Sequence, residues 1–162
     1  MPITIDEVPW DDPVGERLRH DQVRETKQLY DGEDHEEGPK PSVADIDVFL
    51  LATDTDTGEV VGCGGLRRLD PATFEIKRMY VVPEWRGRQI GKVLVRALED
   101  AAKERGATRI RLETGDRMPD AMRLYERCGY YRIDRYGYYA NCDLSVCYER
   151  VLDEDAFSST SS

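Results

Sequence analysis

Soft metal ligands are scarce in this 162-residue chain, which has two histidines and four cysteines. Cys63, Cys128, Cys142 and Cys147 form no CxxC pair, and His20 and His35 lie far from them in sequence, so no metal site is expected. The same cysteines are too few to staple a chain this long, and buried, reduced thiols are expected at each position. Long hydrophobic runs are missing as well: none approaches the ~20 apolar residues of a membrane-spanning helix. The opening stretch MPITIDEVPWDD has no basic segment leading into an apolar one. It does not read as a secretory signal, and the protein is expected in the cytoplasm with no membrane partner. Positive charge is in deficit. With 23 basic against 33 acidic side chains, the formal net charge is -10 and the pI about 4.7. A field of that sign repels phosphate backbones, which argues against nucleic acid as a partner and favours cationic ones such as small amines.

Hydrophobic residues make up 40% of the chain and charged residues 35%, enough for one core beneath a charged surface. One domain is expected over residues 1–152, followed by a polar, disordered tail at 153–162, DEDAFSSTSS. Residues 3–7 alternate like a half-buried strand, and Asp12-Pro13 offers an N-cap with proline at the first helical position. A helix from there to about Tyr30 leads into YDGEDHEEGPKPS, an exposed acidic loop. Residues 47–52 and 59–66 read as a hairpin around TDTDTG, and 73–82 as a third strand ended by Pro83. Strict alternation in that strand puts Phe74, Ile76, Arg78 and Tyr80 on one face and Glu75, Lys77, Met79 and Val81 on the other. Residues 90–105 form the clearest helix, with Ile90, Leu94, Ala97, Leu98 and Ala101 on one side and Gly106 as the stop. A strand at 109–114, a short helix at 120–127 and strand-like runs at 130–133 and 144–152 complete the pattern. Strands occur both as hairpins and alternating with helices, so the fold class is α/β with a mixed sheet.

The junction YVVPEWRGRQIGKVLVRAL carries the chemistry. A strand ends, a turn rich in Gly and Arg follows, and an amphipathic helix starts at once. The first amides of a helix lack intrahelical partners and sit at the positive end of its dipole, so such a turn suits a pyrophosphate. Gly87 and Gly91 allow close approach, while Arg86, Arg88 and Lys92 reverse the sign of an otherwise acidic chain. The spacing is neither GxGxxG nor GxxxxGK[ST], which excludes the Rossmann and P-loop readings. An ordinary turn with solvated arginines is the plain alternative.

With Arg86 first, Gln89 in the middle position and Gly91 last, this run resembles the acetyl-CoA signature of the GNAT superfamily of N-acetyltransferases, Arg/Gln-x-x-Gly-x-Gly/Ala. Downstream, AMRLYERCGYYRI is similar to the family's A-x-x-L-Y-x-x-x-G-[FY] motif, with Tyr125 after Leu124 and Gly129-Tyr130 at its close. Gln89 stands where the family has glycine, and Met118 where it has a positioned asparagine. The resemblance implies a mostly antiparallel twisted sheet flanked by helices, with two parallel strands splayed at the cofactor site. It implies that the backbone of Met79, Tyr80 and Val81 pairs with pantetheine, and that Gly87, Arg88, Gln89, Ile90, Gly91 and Lys92 cradle the pyrophosphate beside Arg86. Tyr125 takes the place of the residue that protonates the departing thiolate. The amine must lose a proton before attacking the thioester, and Glu75 and Glu113 occupy positions where family members keep an acid for that task. Glu75 is preferred here because alternation sets it on the Met79 face.

The resemblance thus implies an acetyl-CoA-dependent acetyltransferase acting by direct attack of a primary amine, borne by a small cationic molecule or a peptide, with acetyl-CoA as cosubstrate and no metal. A non-catalytic CoA-binding sensor or scaffold is the alternative, and an interaction domain using the acidic loop is a third. No cysteine has a neighbouring His in sequence, so a cysteine nucleophile is not expected. Neither the acceptor nor assembly as a monomer or homodimer follows from the sequence.

Overall fold

Asp12 starts the first helix as its type predicts, its carboxylate accepting from the Val14 and Gly15 N–H groups, each at 3.1 Å. In the computed structural model, which describes residues 2–32 and 40–152, that helix is α1 (Pro13–Leu29) and follows β1 (Ile3–Glu7). The centre of the acidic stretch, residues 33–39 with His35, and the tail 153–162 lie outside the described residues. The hairpin is β2 (Val48–Asp54) and β3 (Val60–Asp70), and β3 outruns its own apolar pattern because Arg67 and Arg68 still pair with Glu75 and Phe74. β4 (Thr73–Val81), α2 (Ile90–Glu104), β5 (Arg109–Gly115), α3 (Pro119–Arg127), β6 (Tyr131–Ile133) and β7 (Ser145–Val151) follow, with short 3-10 turns at Pro83–Trp85 and Gly137–Tyr139.

The seven strands form one sheet in the order β1-β2-β3-β4-β5-β7-β6. Every junction is antiparallel except β4–β5, which is parallel and joined by a crossover through α2. The apolar stripe of α2 covers one face, where Leu94 and Leu98 are fully buried among Val61, Leu66, Phe74 and Ile76. Truncating either leucine to alanine costs about 2–5 kcal/mol. α3 lies on the same face through Tyr125 and Cys128. α1 covers the other, where Leu18 packs with Phe49, Leu51, Cys63 and Tyr80.

Strict alternation fails in β4. Arg78 adopts φ +58°, and the register steps from Cys63–Tyr80 to Gly65–Lys77, so Arg78 and Met79 together oppose Gly64. This β-bulge adds one residue and inverts the pleat beyond it. Phe74 and Ile76 face α2, and so do Met79 and Val81, whereas Tyr80 faces α1. Glu75 and Met79 therefore lie on opposite faces, contrary to the expectation from spacing.

Candidate active site

β4 and β5 are paired from Thr73–Arg109 to Ile76–Leu112, and their ladder ends there although both strands continue. The bulge at Arg78 bends β4 just past that point, which opens the sheet between two parallel neighbours. A cleft of about 150 Å³ occupies the opening, with Gln22 of α1, Tyr30 just after it, Glu113 of β5, Tyr125 of α3, and Cys142 and Ser145 on its walls. Tyr30 closes one end. Its hydroxyl accepts from the Arg117 N–H at 2.8 Å and donates to Asp116 at 3.2 Å. A Cβ at Gly115 would sit 2.0 Å from that oxygen, so only glycine lets Tyr30 seat here.

The two candidate acids have different surroundings. Glu113 is half-buried on the cleft wall, and the Ser145 hydroxyl donates to it at 2.7 Å. Glu75 is 1% exposed and does not line the cleft. It forms an ion pair with Arg67 at 2.9 Å and accepts from the hydroxyls of Tyr136 at 2.5 Å and Tyr139 at 3.1 Å. Arg67 continues to Asp45 at 3.1 Å, and Lys77 donates to the Tyr139 hydroxyl at 3.0 Å. Burial first, and then the Glu75 carboxylate, pushes the hydroxyls of Tyr136 and Tyr139 well up from the ordinary tyrosine range. Glu75 thus anchors the segment that runs on to Cys142 and Ser145.

Tyr125 is 6% exposed, packs edge-on to Tyr130 with centroids 5.9 Å apart, and lines the cleft. Burial, with smaller contributions from Cys128 and Glu113, raises its hydroxyl pKa, so it is a protonated donor at neutral pH. Tyr125 is thus both a core aromatic and part of the cleft wall.

The turn before α2 is exposed from Arg86 to Gln89. Gly87 has φ +82°, and Gln89, the N-cap, has φ +66°, so Gln89 takes the left-handed conformation that favours glycine. No side chain caps α2 and its first turn has no acid, which leaves a positive helix end for an anion. Arg86 folds back, donating to the Val81 carbonyl at 2.9 Å and pairing with Glu25 at 3.0 Å, while Arg88 lies over the Trp85 ring at 4.6 Å. Ile90 and Tyr80 are buried, and Tyr80 is paired with Cys63 of β3. The space over Gly91 is held by Leu124, whose side chain would lie 3.0 Å from a Cβ there. Gly91 therefore lets α3 approach α2, a task its place in the motif does not reveal.

The thiols of Cys63, Cys128 and Cys147 are buried, and burial pushes Cys63 up to about 12 and Cys147 up to about 11. Cys142 is half-exposed in the cleft, not a core thiol as expected. Spacing also passed over Gln22, Thr26 and Tyr30. The signal was present: these follow Leu18 along one stripe of α1 at intervals of four, apolar where it meets the sheet and polar where it meets the cleft.

Among the described residues, no helix is long and apolar enough to cross a membrane. The sequence model of the Acetyltransferase (GNAT) family matches residues 10–130. An IAA acetyltransferase of Azospirillum brasilense is 36% identical over 105 residues, 64% of this chain and 67% of that protein. The match to a second relative, the N-acetyltransferase YjgM of Escherichia coli (37% identical over 101 residues, 60% of this chain), spans 59% of its length. A crystal structure from Klebsiella pneumoniae subsp. pneumoniae superposes with a TM-score of 0.80 at 29% identity, covering 93% of this chain and 98% of that one. A GNAT family acetyltransferase from Elizabethkingia anophelis, solved with acetyl-CoA bound, has the same fold at a TM-score of 0.70 and 21% identity, over 93% and 98% of the two chains. With three-quarters of its length matched by the family's model and a mixed sheet that opens between β4 and β5, the chain belongs to the acetyltransferase (GNAT) family.

Proposed function

We propose that the protein moves an acetyl group from acetyl-CoA to a primary amine by direct attack, with Glu113 as the base and Tyr125 as the acid. The observation that carries this reading is the divergence of β4 and β5 beyond Ile76 and Leu112 into a cleft lined by both Glu113 and Tyr125. Acetyl-CoA supplies the acyl group as a thioester, whose carbonyl carbon accepts the amine lone pair and whose sulfur leaves with the C–S bonding electrons. The stretch Met79, Tyr80 and Val81 lies beyond the β4–β5 ladder, so its backbone suits an extended pantetheine arm that adds on as a strand would. The uncapped start of α2, with the exposed amides of Gly87, Arg88 and Gln89 and the nearby Lys92, suits the pyrophosphate.

Glu113 takes a proton from the acceptor nitrogen, directly or through a water, as the N–C bond forms. Tyr125 gives its proton to the departing sulfur and regains one from solvent. An acceptor that enters as an ammonium therefore releases one proton per turnover. Glu113 is favoured over Glu75 as base because Glu75 is enclosed by Arg67, Tyr136 and Tyr139 and has no cleft surface.

A panel of peptides, polyamines, amino acids and aminoglycosides, scored by release of free CoA, tests the reaction. Turnover with at least one amine is expected, and Tyr125→Phe should lower kcat while the acetyl-CoA affinity found by calorimetry stays within about twofold, a loss confined to the transition state. Acetyl-CoA retained without CoA release on any amine would replace this reading with the non-catalytic module.

A further inference from the structure

Gln22 projects from α1 into the cleft, and its Nε2 donates to the Met79 carbonyl at 3.4 Å. That bond sets the direction of the side-chain amide, because a carbonyl accepts only from the NH2 end. The other end, Oε1, is buried and has no hydrogen-bond partner among the described residues. A buried amide oxygen without a donor is unfavourable, and a donor that arrives with a substrate corrects it. The α1 side of the cleft carries Gln22, Thr26 and Tyr30, and Glu113 and Ser145 line the same space. An amine that gives its proton to Glu113 thus enters among polar groups that include Oε1.

We infer that Gln22 Oε1 receives an N–H of the acceptor amine and makes Gln22 a specificity-determining residue for primary amines; this rests on the acetyl-transfer reading above. A neutral primary amine carries two N–H bonds. One proton is lost to Glu113 as the N–C bond forms, and the other stays on nitrogen through to the product amide. Gln22 holds that second N–H, which turns the nitrogen lone pair away from Oε1 and toward the carbon it must attack. A secondary amine keeps no N–H once its proton has gone, and a hydroxyl acceptor keeps no proton at all. Both leave Oε1 unpaired in the transition state, and a site built to bond a hydrogen discriminates strongly against an analogue lacking it.

The test compares the best primary amine of the panel with its N-methyl derivative, in wild type and Gln22→Met. Wild type should prefer the primary amine in kcat/KM by about tenfold or more. Gln22→Met, of similar length but without the acceptor, should lower kcat/KM for the primary amine about tenfold and change that of the N-methyl amine by less than about twofold, so the preference collapses. Acetyl-CoA affinity should not change. The ratio of the two kcat/KM values does not depend on the folded fraction, which guards against a folding defect in the methionine variant. An equal fall for both amines would assign Gln22 to packing and overturn the inference. Weaker acetyl-CoA binding with the preference intact would give Oε1 to the pantetheine amide and overturn it too. Turnover with an unchanged ratio refutes this inference alone, whereas absence of turnover in wild type refutes the acetyl-transfer reading itself.

Discussion

Two glutamates that look alike in sequence do different work in the structure. Glu113 stands on the cleft wall, so Glu113→Gln should lower kcat by about 10²-fold and flatten the acidic limb of the pH–rate profile. Glu75 is a buried charge matched to Arg67 and two tyrosines. Glu75→Gln breaks that pair and should cost about 3–5 kcal/mol in denaturant unfolding, with any loss of kcat following the loss of folded protein. A Glu113→Gln enzyme with wild-type rates across the pH range would mean that the amine loses its proton to solvent. The cysteines give an independent check on the cleft. Cys142 is half-exposed on its wall while Cys63, Cys128 and Cys147 are buried, so one thiol should react with a thiol reagent in the native protein. Saturating acetyl-CoA should slow that reaction at least fivefold, and equal rates with and without it would place the ligand elsewhere.

At the level of elements, the turn into α2 shows how one motif serves two ends. Gln89 already holds φ +66°, a conformation that costs an ordinary side chain about 1–2 kcal/mol. Gln89→Gly should therefore leave acetyl-CoA affinity within about twofold, whereas the β-branched Gln89→Val should displace the turn and weaken binding at least tenfold. Gly91→Val should act differently. A side chain there meets Leu124, and overpacking between α2 and α3 should cost about 1–3 kcal/mol of stability. Calorimetry and urea unfolding on the same variants separate the two effects, and a fully stable Gly91→Val protein would contradict the helix contact. The bulge in β4 is likewise a device of the whole element. One left-handed residue, Arg78, ends the pairing with β5 and sends Met79 to the α2 side, where it packs with the core.

For the whole molecule, acid should be the weak side. Glu149 is held below the ordinary carboxylate range: burial alone would raise its pKa, but hydrogen bonds from Arg111 at 2.8 Å and Tyr131 at 3.0 Å outweigh it. Asp45 is lowered in the same sense, its burial outweighed by the Ser42 N–H and by Arg67. A depressed folded pKa contributes stability that is fully present above the unfolded value, near 4.5 for Glu149, and is lost as pH falls through the folded one. Tm should hold steady from about pH 8 to 6 and drop below about pH 4.5, and Arg111→Met should lower Tm at neutral pH and make that drop smaller. A Tm independent of pH down to 3 would show that these pairs contribute nothing to folding.

Local rules were enough for much of this. Asp12-Pro13, the 90–105 stripe and Gly106 define helix ends by capping and periodicity that act within a few residues, and α1 and α2 follow them closely. The two motifs that carry the family resemblance lie in short contiguous runs, so the turn before α2 and Tyr125 could be picked out from the chain. Pairing could not. Which strand lies beside β4, where that ladder stops, and that Arg78 bulges against Gly64 depend on partners up to dozens of residues away. That is why alternation misplaced Met79 relative to Glu75. Burial is equally non-local: Glu75 and Glu113 each sit in a strand-like run, and only packing against Arg67 and the Tyr136–Tyr139 segment withdraws one of them from the cleft. Gln22 enters the site for the same reason, since α1 reaches Met79, 57 residues along the chain, only once the sheet has closed beneath it.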